Sequence, residues 1–239
     1  MIPYCGAPPV PGSLLERWNG DPILIAALVG IAAFHLARAP AAERRLAAAG
    51  WIVAAFAFLS PLCALSVSLF SARVLQHMIL ALIAAPLIAA GLPGGRGRTI
   101  WASALAFSAA LWFWHMPAPY DATFRSDLTY WAMHATLFGG AIWLWRDLIH
   151  HSPERTFHVL AAGTAASVAM ALLGAVLALC NRPLFLWHLP YTADWGFTPL
   201  ADQQLGGVIM WVPGGVLFLL AAMRSMSALW HRPARPAAR

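Results

Sequence analysis

Imidazoles are the chemistry-bearing groups that stand out in this chain, and four of them gather towards one side of an otherwise apolar sequence. Nine histidines occur in all. His77, His115 and His134 fall within or at the edge of apolar runs, and His188 lies in the connection before the last run, just ahead of Asp202. Imidazole nitrogen suits copper, zinc and iron, whereas a thioether selects Cu(I). Three of these histidines adjoin a methionine, as His77-Met78, His115-Met116 and Met133-His134, so a site drawing on both types would favour copper, held as Cu(I). Neighbouring helical residues point about 100° apart, which hinders both members of a pair from binding one ion, and methionine also serves as a filler of cores. The candidate ligands are therefore His77, His134, His115, His188 and Asp202, with Met78, Met116 and Met133 beside them. Each has a structural alternative: an interhelical hydrogen bond for the histidines, an N-cap for Asp202, packing for the methionines.

The elements that must position these groups are membrane spans. The 239 residues are 61% hydrophobic and 10% charged, with mean hydropathy +0.68, against about 25% charge in a soluble domain. Seven apolar runs can be marked: Pro22–Ala37, Gly50–Phe70, Val74–Leu92, Ile100–Met116, Leu128–Trp145, Phe157–Cys180 and Leu205–Met223. The expected fold is an all-α, polytopic seven-helix bundle forming a single transmembrane domain over 1–239. Residues 1–20, with four prolines and no basic start, form an outer segment rather than a cleaved signal; residues 224–239 form an arginine-rich cytoplasmic tail.

All fifteen basic residues are arginine. Without lysine there is no retinal Schiff base and no P-loop. With the N-terminus outside, eleven arginines (Arg38, Arg44, Arg45, Arg96, Arg98, Arg146, Arg155, Arg224, Arg232, Arg235 and Arg239) fall on inner segments, and four (Arg17, Arg73, Arg125 and Arg182) on outer ones. The positive-inside rule then fixes the N-terminus outside and the C-terminus inside. Such dispersion along short loops fits a lipid bilayer partner and no nucleic acid. In this orientation His77, His115, His134, His188 and Asp202 converge at the outer face, whereas His35, His150, His151, His158 and His231 lie inside. Ionisable groups within a span mark function by default.

Other features read as structure. Pro86 and Pro213 kink their helices, and Gly139-Gly140, Gly206-Gly207 and Gly214-Gly215 permit close helix approach. Three cysteines, Cys5, Cys63 and Cys180, lack any C-x-x-C pair and predict no disulfide framework; Cys63 and Cys180 are expected as buried thiols. No nucleophile–base pair or paired carboxylates point to covalent catalysis, so the chain is not expected to be an enzyme.

The run Leu200-Ala201-Asp202-Gln203-Gln204-Leu205-Gly206-Gly207, continued by Ile209-Met210-Trp211-Val212-Pro213-Gly214, resembles the signature of cytochrome c oxidase assembly factors of the CtaG type. Ser60-Pro61-Leu62, Gln76-His77-Met78, Trp114-His115-Met116-Pro117 with Tyr120, Met133-His134, Arg182-Pro183-Leu184 and Trp195-Gly196 extend the likeness over most of the chain. The resemblance implies a bacterial inner-membrane protein that matures a haem–copper oxidase by placing copper. The chain departs from it at Arg73, where relatives carry a histidine one turn before the position of His77, and at Phe185, where they carry tyrosine. The expected partners are an oxidase subunit and a periplasmic copper donor. The alternatives from other classes are a haem b membrane cytochrome, with His77 and His134 on facing helices, and a metal transporter, which would need polar groups through the midplane.

Overall fold

In a computed structural model the described residues are 2–212 and Met223. Among them every regular element is helical, and the β-type pairing is an isolated bridge between Arg96 and His151. The helices are α1 (Pro22–Arg38), α2 (Arg44–Leu59), α3 (Pro61–Ser68), α4 (Phe70–Met78), α5 (Ala85–Ala90), α6 (Ile100–Trp114), α7 (Pro117–Ala122), α8 (Asp127–Ile149), α9 (Thr156–Leu179) and α10 (199–212). A π-helical stretch, Ile79–Ala84, joins α4 to α5, giving one continuous helix over Phe70–Ala90. Helix α8 packs against α5 and α6; α2 covers α5 and α9 covers α6.

Phe70–Ala90 and Pro153–Leu179 are long and apolar enough to cross a membrane; α2 and α3 qualify together as a bent pair, and α1 and α6 are shorter apolar helices. The outward faces carry Ile23, Val29 and Phe34 on α1, Ile52 and Phe56 on α2, and Leu172, Val176 and Leu179 on α9, all exposed. Such continuous apolar surface is what a lipid-facing bundle presents. Pro213, Gly214-Gly215, Arg224, His231 and most of the expected seventh run lie outside the described residues.

Two prolines shape the helices that carry the site. The expected single run Gly50–Phe70 is broken by a 49° bend between α2 and α3. Pro61 has no N–H for the carbonyl of Ala57 four residues earlier, and Gln76 Nε2 on α4 donates to that carbonyl instead, at 2.8 Å. Ser60 Oγ accepts from Leu62 N and caps the new helix. The Pro86 kink expected from the sequence takes the form of a register change. In the π stretch the Ala85 N–H bonds Leu80 O, five residues back. In that register the carbonyl of Ala81 would look to Pro86, which cannot donate, and Trp145 Nε1 on α8 fills the vacancy at 2.8 Å. Each orphaned carbonyl thereby ties the histidine-bearing helix to a neighbour.

Close approach is supplied by Gly206 and Gly207, as expected. A Cβ on Gly207 would lie 2.5 Å from Ala178 N, and one on Gly206 2.6 Å from the Phe70 ring, so α10 presses against both α9 and the start of α4. Gly140 faces the backbone of Phe107, but among the described residues nothing lies within 4 Å of a Cβ placed on Gly139.

The cysteine expectation is corrected. Cys5 and Cys63 form a disulfide across 58 residues of sequence, and Cys180 is a free, half-buried thiol. No local spacing announces such a pair, because the fold itself brings the N-terminal segment onto α3.

Candidate metal centre

His77 lies near the end of α4, His134 two turns into α8, and His115 at the C-cap of α6. All three are buried. The His77 ring stands edge-on to that of His134, with centroids 5.3 Å apart, and to that of His115 at 6.2 Å. His115 Nδ1 bonds Leu111 O at 2.7 Å and His134 Nδ1 bonds Tyr130 O at 3.0 Å. A carbonyl only accepts, so each imidazole keeps its proton on Nδ1 and leaves Nε2 as a bare lone pair. Metal-binding histidines are oriented by this same arrangement, the second nitrogen donating to a carbonyl.

Among the described residues these nitrogens have no hydrogen-bond partner: Nε2 of His115, Nε2 of His134 and both nitrogens of His77 are buried and unpaired. Each unsatisfied buried polar atom costs about 1–3 kcal/mol, and native interiors hold few of them. Gathering four in one place favours a ligand role over core packing. Among the described residues no three His, Cys, Asp or Glu side chains close around a common point at ligand distance. The trio is a set of adjacent rings that must turn inward to share an ion. In direct contact, the His77 and His134 rings leave no slot for a macrocycle between them, which argues against the cytochrome alternative.

The other expected ligands have different surroundings. His188 is separated from the trio by the Phe70 ring, which lies 6.4 Å from His115 and 6.3 Å from His188. Its Nε2 meets Tyr120 Oη at 2.7 Å. Burial, reinforced by the charge of Arg73, lowers its pKa to about 3. Asp202 caps a helix, but not its own. Its Oδ2 accepts from Phe70 N at 2.7 Å, and Oδ1 accepts from Ser71 N at 3.1 Å and from the Ser71 hydroxyl. The carboxylate thus sits on the positive N-terminus of α4 and fixes the helix that carries His77. Met116 is half-exposed and Met133 is fully buried in the apolar core. Met78 lines a small cavity with His77, His134, Phe107 and Leu111, so it is the thioether placed beside the two rings.

Arg73 is the largest departure from expectation. Counted from the sequence as an outer-loop charge, it is a helical residue of α4, 1% exposed, one turn before His77. Its guanidinium carbon lies 4.1 Å from the centre of the Phe124 ring, 5.3 Å from Tyr120 and 5.7 Å from Tyr130. Among the described residues Nε and Nη1 have no hydrogen-bond partner. A cage of aromatic faces offsets part of the cost of burying the cation. Tyr130 was not singled out by the sequence reading. It stands four residues before His134, and its ring lies 4.3 Å from that imidazole; a tyrosine one turn from a membrane histidine is the signal that could have found it.

The model of the cytochrome c oxidase caa3 assembly factor family (Caa3_CtaG) matches residues 27–103 and 98–232. No curated protein and no solved structure gives a significant match. The three helices that carry the trio and the Asp202 run lie inside the matched segments. The chain belongs to the cytochrome c oxidase caa3 assembly factor family.

Proposed function

We propose that the protein carries copper as cargo, on His77, His134 and His115, and passes it to a subunit of the oxidase whose assembly it serves. The observation that carries this reading is the group of unpaired Nε2 atoms from three helices, two of them oriented by backbone carbonyls. Imidazole with a thioether nearby, Met78, suits Cu(I). A set of rings not already closed on a point would hold the ion loosely, as transfer requires. Arg73, one turn away, repels a cation and works in the same direction. His188 and Asp202 support the site from outside it.

The bundle is read as seven spans in the bacterial inner membrane, N-terminus outside and C-terminus inside, with the trio near the periplasmic face. The arginine distribution supports this orientation, and removing the helical Arg73 leaves three outer arginines against eleven inner ones. The Cys5–Cys63 disulfide supports it independently, since such bonds persist in the oxidising periplasm and are rare in the cytosol. A periplasmic copper donor would load the site.

A null strain grown under copper limitation tests the role. Copper-oxidase activity should fall and recover in part when copper is added. Unchanged oxidase, with no parallel pathway induced, would contradict it.

A further inference from the structure

We propose that Cys5 and Cys63 are a reducible pair whose dithiol form binds one Cu(I) at the edge of the imidazole trio. The inference extends the copper reading given above and rests on it for its physiological sense. Four observations converge on it. The Tyr130 hydroxyl lies 3.3 Å from Cys5 Sγ and 3.7 Å from Cys63 Sγ. A disulfide sulfur has no proton, so the tyrosine is the donor to both, and the same donor would stabilise thiolates once the bond is opened. Asn19 Nδ2 approaches Cys63 Sγ from another side at 3.9 Å. The Tyr130 ring is also packed on His134, 4.3 Å between centroids, so one side chain touches both the sulfur pair and the trio.

The fourth observation concerns what reduction would leave behind. The N-terminal segment is held without the disulfide. Tyr4 stacks on Tyr130 at 4.8 Å and hydrogen-bonds Asp21. Pro9 O accepts from Ser68 Oγ at 2.9 Å and from Trp195 Nε1 at 3.2 Å. Opening the bond would therefore leave two thiols facing one another rather than release the segment. A facing pair of thiolates is a soft site suited to Cu(I). In the first step a protein dithiol of the periplasm gives two electrons and two protons to the S–S bond and becomes a disulfide itself, leaving two thiols. In the second, those thiols bind Cu(I) as thiolates and release two protons. Because the thiolate is the ligand form, binding should strengthen as pH rises.

The test uses the full chain in detergent, in its oxidised form and after reduction by a phosphine that is then removed without air. Cu(I), supplied as its acetonitrile complex, is measured against a chromophoric Cu(I) chelator. The reduced protein should hold one more Cu(I) per chain than the oxidised protein, with an ultraviolet thiolate-to-Cu(I) charge-transfer band. Cys5→Ser and Cys63→Ser should each lose that increment, whereas Cys180→Ser should keep it. His134→Ala should keep the increment and lose the copper of the oxidised form. Equal copper in both forms, with thiol titration proving that the disulfide had opened, would overturn the proposal. So would a disulfide that opens only on unfolding. If the oxidised protein holds no copper and the reduced protein holds one ion that needs Cys5, the imidazole reading fails and the dithiol site stands.

Discussion

One helix, α8, passes through two polar clusters of opposite character. Near its end, Asp147 is fully buried and accepts from Thr99 Oγ1 at 2.6 Å, Ser103 Oγ at 3.2 Å and Arg146 Nη2 at 2.9 Å. The two histidines that follow are engaged as well: His150 Nε2 meets Ala89 O at 3.1 Å and His151 Nδ1 meets Leu148 O at 2.9 Å. About 20 Å away along the same helix, the His77–His115–His134 trio and Arg73 have ring and guanidinium nitrogens with no partner among the described residues. Asp147 and the three imidazoles are alike in being buried, and only Asp147 is satisfied. A satisfied network holds helices together, whereas an unsatisfied one stores its bonding capacity for a ligand. On the proposed reading, the contrast separates stability from binding within one bundle.

The comparison can be broken by substitutions whose expected effects differ in sign and size. The largest loss of stability should come from Asp147→Ala, which strips the acceptor from two hydroxyls and from Arg146. It should cost roughly 2–3 kcal/mol, measured by thermal unfolding in detergent; a change below about 0.5 kcal/mol would show that the network is ornamental. Acid should come next. His188 is neutral when folded, and its pKa falls from 6.5 to about 3 on burial. Below pH 6.5 the unfolded chain takes up a proton that the folded chain refuses, so stability falls as the pH drops through that window. His188 alone should account for about 1.6 kcal/mol of loss between pH 6.5 and pH 5, and His188→Gln should lessen the slope there by that amount. The smallest effect should be a gain. Arg73→Met replaces an unpaired buried cation with an apolar chain of similar reach and should stabilise the protein by about 1 kcal/mol. A loss would mean that the aromatic cage more than offsets the desolvation of the guanidinium.

The sequence made the helical class and the family legible, and it pointed to His77 and His134 because ionisable residues in apolar runs are conspicuous. Their proposed placement near the outer face rests on the arginine distribution. The contact at Gly206-Gly207 followed from a pair of small residues in a run. What escaped depends on partners far away in the chain. Asp202 could be seen as a cap, but that it caps α4 rather than its own helix needs the α10–α4 contact. Ser60-Pro61 lies inside the run Gly50–Phe70, read as one span, and an apolar run hides a break whose freed carbonyl is satisfied by Gln76. The Cys5–Cys63 bond spans 58 residues, and Arg73 looked like a loop charge because the turn before it is the single extended residue Leu69.

The central claim is that the unpaired imidazoles are one metal-holding unit. Copper retained by purified His77→Ala, His134→Ala and the double variant tests it most directly, alongside His150→Ala from the satisfied end and with the thermal stability of each protein measured without metal. Each single change should lose most of the copper, the double change should add little because both nitrogens serve one ion, and His150→Ala should retain it. Singles that bind copper like the parent, or that lose it only because the protein unfolds, would contradict the account.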